Sequence, residues 1–117
     1  MPDVSTPSTS RLSARFAALA AERRRALVCY VTAGHPDPEQ SVTLLRGIAA
    51  AGADVIEIGV PFSDPVADGP TIQRSSESAL RHGVTLASTL ETLRSWTAGR
   101  PETAPAPPLV LMGYFNP

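Results

Sequence analysis

Val55-Ile56-Glu57-Ile58-Gly59-Val60-Pro61-Phe62-Ser63-Asp64-Pro65-Val66-Ala67-Asp68-Gly69-Pro70 is the stretch whose reading decides the fold. Its first six residues are β-branched and apolar apart from one carboxylate and one glycine, which is the pattern of a strand. The ten that follow are rich in Pro, Asp and Gly and read as a long loop. Upstream, Leu27-Val28-Cys29-Tyr30-Val31-Thr32 is a second apolar, β-rich run, entering a loop at Ala33-Gly34-His35-Pro36. Between the two strands Asp37 can cap a helix with Pro38 at its first position. Val42, Leu45, Ile48 and Ala49 give that helix one apolar face, and Gly52 ends it.

Downstream, helical spacing predicts Thr71 to His82, ending at Gly83, and Thr85 to Thr97, with Leu86, Leu90 and Leu93 in register. Arg100 to Pro108 holds four prolines and reads as a surface linker. Leu109 to Phe115 reads as a further strand. At the other end, Met1 to Ser10 is a polar tail, and Leu12, Phe16 and Leu19 suggest a docking helix within Arg11 to Arg25. The chain thus reads as a helix followed by β-α-β-α-β.

Strands alternating with helices imply an α/β fold with a parallel sheet, because parallel neighbours need a crossover connection. A doubly wound sheet would usually show spaced glycines after the first strand, and Ala33-Gly34-His35-Pro36 lacks them. A (β/α)8 barrel is therefore the expected architecture. Residues 11–117 are assigned to the N-terminal part of one such domain, with only its first three strands. Successive strand residues point to opposite faces. One set, Leu27, Cys29, Val31, Ile56, Ile58, Val60, Leu109 and Leu111, is purely apolar and suited to lie under helices. The other, Tyr30, Thr32, Glu57, Gly59, Met112 and Tyr114, mixes small, polar and aromatic groups and suits a barrel lining near its mouth.

Composition narrows the chemistry. Ten arginines, no lysine and eleven acids give a formal net charge of −1, which provides no broad field for a polyanion or an anionic membrane. Without lysine these residues offer no Schiff base and no phosphate-loop amine. The single cysteine, Cys29, excludes a disulfide framework and suits a reduced, cytoplasmic setting. No stretch approaches the length of a membrane span.

Glu57 is the most informative residue, since a carboxylate inside an apolar strand must pair, shift its pKa, or both. It reads either as a structural acid bonded across the sheet or as a catalytic one. The loop brings Asp64 and Asp68 to the same strand end, where they serve as further functional acids or as helix caps. Three oxygen donors could also hold a hard cation, but no histidine stands at a ligand spacing, and no metal site is assigned.

Residues 54–73 resemble the signature of tryptophan synthase α chains. Tyr30-Val31-Thr32-Ala33-Gly34 and Leu111-Met112-Gly113-Tyr114-Phe115-Asn116-Pro117 are similar to that family's first and third strands in order and spacing. The resemblance implies a lyase of tryptophan biosynthesis that cleaves indole-3-glycerol phosphate, by a retro-aldol step, to indole and glyceraldehyde 3-phosphate. It implies Glu57 as the acid-base group and Asp68 as the carboxylate beside the indole N–H. Tyr30, Thr32, Met112 and Tyr114 would line the substrate pocket, and Asp64 would face the partner. That partner is a pyridoxal-phosphate β subunit in a heterotetramer of two α and two β chains, the α subunit needing no cofactor itself. A complete barrel needs about 250 residues and grips phosphate through its last loops, so this chain alone is expected to be inactive. The alternative is a barrel paralogue that is non-catalytic or binds a different phosphate sugar.

Overall fold

The computed structural model describes residues 10–101, 103 and 106–115. The polar tail before Ser10, parts of the Arg100 to Pro108 linker, and Asn116 and Pro117 of the third-strand motif lie outside the described residues. In order, the elements are α1 (Arg11–Ala21), β1 (Val28–Thr32), α2 (Pro38–Ala50), β2 (Val55–Gly59), α3 (Pro70–Arg81), α4 (Leu86–Ala98) and β3 (Leu109–Met112). The strands form one parallel sheet in the order β1-β2-β3. Predicted and observed elements agree, except that β3 stops at Met112 rather than running to Phe115. Gly113 to Phe115 leave the sheet, and Tyr114 meets the loop after β2.

Local chemistry sets the helix starts. Asp37 accepts the Gln40 N–H at 2.9 Å, with Pro38 at the first helical position of α2. Thr85 and Ser88 form a reciprocal capping box at the head of α4. Ser10, assigned to the tail by sequence, is the N-cap of α1 and accepts the Ser13 N–H at 3.1 Å.

Ile56 and Ile58 on β2 are fully buried beneath the helices, in one cluster with Leu45 of α2, Ala79 of α3 and Leu93 and Trp96 of α4. Cys29, Val31 and Leu109 pack against the same cluster. Each fully buried isoleucine contributes about 2 kcal/mol of apolar transfer free energy, so this face anchors the sheet. Leu111, on the same face of edge strand β3, is 44% exposed among the described residues.

A second tie holds the opposite end of the strands. Leu27 accepts the Asp54 backbone N–H at 2.9 Å and returns its own N–H to the Asp54 carboxylate at 2.8 Å. That carboxylate also meets Arg15 of α1 at 2.6 Å, with Arg24 at 3.6 Å. Arg11 donates to the Ala106 carbonyl. Together with buried Leu19, these bonds fasten α1 beneath the sheet; Leu12 is half-buried, whereas Phe16, expected on the docking face, is largely exposed.

Asp54 is almost wholly buried. The Leu27 N–H, and after it Arg15 and Arg24, hold its carboxyl below the ordinary 3.8, against the opposing effect of burial. A depressed folded pKa gives stability that is complete above the unfolded value and lost as pH falls through the folded one. Asp54→Ala should lower the thermal midpoint by about 10 °C at neutral pH, because it strands Leu27 N–H and two guanidinium groups. Asp54→Asn should remove this residue's share of the acid-induced loss. Thermal melts between pH 2 and pH 7 check both (about the span over which a carboxyl titrates), and a melting profile unchanged in either variant would contradict the assignment.

Candidate active site

The burial of Ile56 and Ile58 determines where Glu57 goes. Strand side chains alternate, so Glu57 emerges on the sheet face opposite the helix layer. Parallel register sets Tyr30, Glu57 and Val110 in one cross-strand row, and Thr32, Gly59 and Met112 in the next row toward the strand ends. Five of the residues named from sequence, Tyr30, Thr32, Glu57, Gly59 and Met112, therefore share a face. Glu57 is half-buried, and its carboxylate has no hydrogen-bond or ion-pair partner among the described residues.

Gly59 is required by its neighbour. A Cβ there would stand 1.9 Å from Tyr30 Oη and 2.6 Å from its Cζ, so the tyrosine ring lies directly over the glycine backbone. Any side chain at 59 would displace Tyr30. Thr32 is buried, and its hydroxyl is 2.6 Å from Ser75 Oγ of α3. Ser75 in turn donates to the Ile72 carbonyl at 2.8 Å. Thr32 thus fastens α3 to the end of β1.

The loop after β2 folds back over the C-terminal end of β3. Phe62 stacks on Tyr114, with ring centroids 5.0 Å apart and planes 10° from parallel. The Ala67 N–H donates to Tyr114 Oη at 3.1 Å. Desolvation first, then hydrogen bonding to Asp68 and its negative charge, raise the Tyr114 phenol above its ordinary value of 10.0. The phenol therefore stays protonated at neutral pH, beside Asp68. The backbone around Asp68 is held by Pro65, whose carbonyl accepts its N–H at 3.0 Å, and by Gln73, which donates to its carbonyl at 2.9 Å. Asp64 is exposed; its carboxylate accepts the neighbouring Ser63 hydroxyl at 3.3 Å, and its carbonyl accepts the Val66 N–H at 2.8 Å.

The structure thus gathers Tyr30, Thr32, Glu57 and Met112 on one face, joins Asp68 to Tyr114 at the same sheet end, and leaves Asp64 outside. Sequence reading did not single out Phe62, Gln73 or Ser75. Phe62 and Gln73 sit inside the recognised loop motif, but Ser75 carries no local signal, because its partner is 43 positions away. His82 bonds through Nδ1 to the Ser78 carbonyl at 2.9 Å. Among the described residues no three His, Cys, Asp or Glu side chains cluster as metal ligands. No helix among the described residues is long and apolar enough to cross a membrane.

Known proteins share this fold. The family model for the tryptophan synthase alpha chain matches residues 16–117. The tryptophan synthase alpha chain of Burkholderia cenocepacia strain J2315 is 56% identical over 108 residues, which are 92% of this chain and 38% of that relative. The corresponding protein of Burkholderia mallei strain NCTC 10229 gives the same identity and coverage. This chain therefore spans about two fifths of the length of these curated relatives. Among solved structures, the alpha subunit from Legionella pneumophila superposes with a TM-score of 0.84 at 39% identity, covering 92% of this chain and 39% of that one. Tryptophan synthase from M. tuberculosis in its aminoacrylate-bound form gives 0.79 at 40% identity, covering 92% and 41%. These neighbours are (β/α)8 barrels, and β1, β2 and β3 are consecutive staves of such a barrel. By the matched span, the identity and the superposition together, the chain belongs to the tryptophan synthase alpha chain family.

Proposed function

We propose that this chain supplies the catalytic acids of an indole-3-glycerol phosphate lyase, from the N-terminal part of a single barrel domain over residues 11–117. The observation that carries the reading is the position of Glu57, on the uncovered face of β2, between Tyr30 and Val110, with no protein partner for its carboxylate among the described residues. A carboxyl group so placed is available to substrate.

Cleavage breaks the bond between indole C3 and the first glycerol carbon. Glu57 delivers a proton to C3 and takes one from the hydroxyl on that carbon, which becomes the aldehyde of glyceraldehyde 3-phosphate while the bonding pair returns to the indole ring. Protonation at C3 leaves positive charge on the ring, and Asp68, beside the indole N–H, stabilises it. Tyr114 supports this role through its contact with Asp68 and its stacking on Phe62. Tyr30, Met112 and Tyr114 border the flat ring, and Thr32 contributes through the wall it forms with Ser75. The protonated indole is its own electron sink, so the step needs no cofactor on this chain. Exposed Asp64 faces the partner, a pyridoxal-phosphate β subunit that takes up the indole in a heterotetramer of two α and two β chains. The setting is the cytoplasm.

The test is a chimera in which this chain replaces the matching segment, 38% of the length, of the Burkholderia cenocepacia relative. The chimera should release indole from indole-3-glycerol phosphate. Glu57→Gln within it should lower kcat by at least about a hundredfold while leaving the far-UV circular dichroism unchanged; turnover retained in that variant would remove the acid-base role. Gly59→Ala should push Tyr30 off the sheet and lower kcat/KM by about a hundredfold, and an unaltered kcat/KM would show that Tyr30 does not shape the pocket. The chain on its own is expected to release no measurable indole, and release by it would show that three staves suffice.

A further inference from the structure

A cavity of about 150 Å³ lies on the other side of the sheet from Glu57, between α2, α4 and the end of β1. Its walls are built from Val31, Ala33, Leu45, Ile58, Val84 and Leu93, all apolar. Four hydroxyl side chains also reach it, and three are committed to the fold. Ser41 accepts the Gly34 N–H at 3.0 Å. Ser88 accepts the Thr85 N–H at 2.9 Å, and Thr89 donates to the Thr85 carbonyl at 2.7 Å. Thr92 is the one hydroxyl on the wall that has no hydrogen-bond partner among the described residues. The rim carries exposed Pro38, His82 and Gly83, and the His82 Nδ1 is already held by Ser78.

We propose that this cavity is a binding site for a small apolar ring bearing at most one polar group, which Thr92 would meet. Away from its rim a largely apolar space of this size offers water few hydrogen-bond partners, and apolar cavities of similar volume bind benzene. Gly34, at φ 82°, packs directly on Val84, where a Cβ would stand 2.3 Å from Val84 Cγ2. Gly83 and Val84 form the joint between α3 and α4, and α3 begins where the Asp68 loop ends. A guest in the cavity braces that joint against β1, so the site stands next to the element that carries the loop.

Benzene is the probe. Methyl NMR of the chain titrated with benzene should show saturable shifts at Val31, Leu45, Val84 and Leu93, but not at Leu12 or Val66 on other surfaces, and the thermal midpoint should rise with benzene concentration. Thr92→Leu should fill the space and weaken benzene binding by about tenfold or more; Thr92→Val makes the same test with a smaller change in volume. Shifts that do not saturate, that spread equally to Leu12 and Val66, or that persist at the same affinity in both variants would overturn the proposal.

Discussion

The side-chain order of one strand constrains everything downstream of it. Ile56 and Ile58 are fully buried under the helices, and a strand cannot place three successive side chains on the same face. Turning Glu57 back into the helix layer would expose both isoleucines, at about 2 kcal/mol each, and would bury a carboxylate without a partner. The hydrophobic effect therefore does the aiming: two apolar neighbours fix the direction of the acid between them. The register to β1 and β3 then determines what the acid meets, and Tyr30 and Val110 are its cross-strand neighbours.

Bonds at both ends of the strands hold this arrangement. At the N-terminal end the Asp54 carboxylate closes a ring with Leu27 and draws in Arg15 of α1. At the C-terminal end the buried Thr32 and Ser75 hydroxyls join β1 to α3, while Phe62 and Ala67 tether the loop to Tyr114. Stability is thus concentrated at the end away from the loop by an ion-paired carboxylate, and at the loop end by neutral hydrogen bonds and ring stacking. Acid weakens the first directly through Asp54. The hydroxyl pair, the Ala67 amide and the stacked rings at the loop end carry no group that acid protonates.

Much of this was legible in the sequence because it is local or periodic. Alternation within Val55 to Gly59 predicted the orientation of Glu57, and Asp37 followed by Pro38 predicted the start of α2. The motif from Asp54 to Gln73 pointed to the family that the matched relatives share. The features that escaped depend on residues far apart in the chain. Asp54 stands just before β2, and nothing near it announces that its carboxylate will accept a backbone N–H 27 positions earlier. Ser75 looks like any polar residue on an amphipathic helix. β3 appeared longer than it is because Gly113-Tyr114-Phe115 has strand-like composition, whereas the Tyr114 side chain serves the loop and Phe115 is 90% exposed. Phe16 matched the helical spacing of a docking face, yet α1 is held by the guanidinium groups of Arg11 and Arg15, whose reach periodicity does not measure.

The proposed chemistry needs a polar cluster on one side of the sheet and a packed helix layer on the other, and three short strands present a polar face and an apolar one. The claim that most depends on this division is that Glu57 and Asp68 converge on one ligand from the uncovered side. A crystal structure of the chimera bound to a non-cleavable analogue of indole-3-glycerol phosphate tests it most directly. The account predicts the indole ring over the Tyr30 and Gly59 face, with the Glu57 carboxylate at C3 and Asp68 at the ring N–H. An indole ring seated elsewhere, or a Glu57 carboxylate packed among the helices, would contradict it.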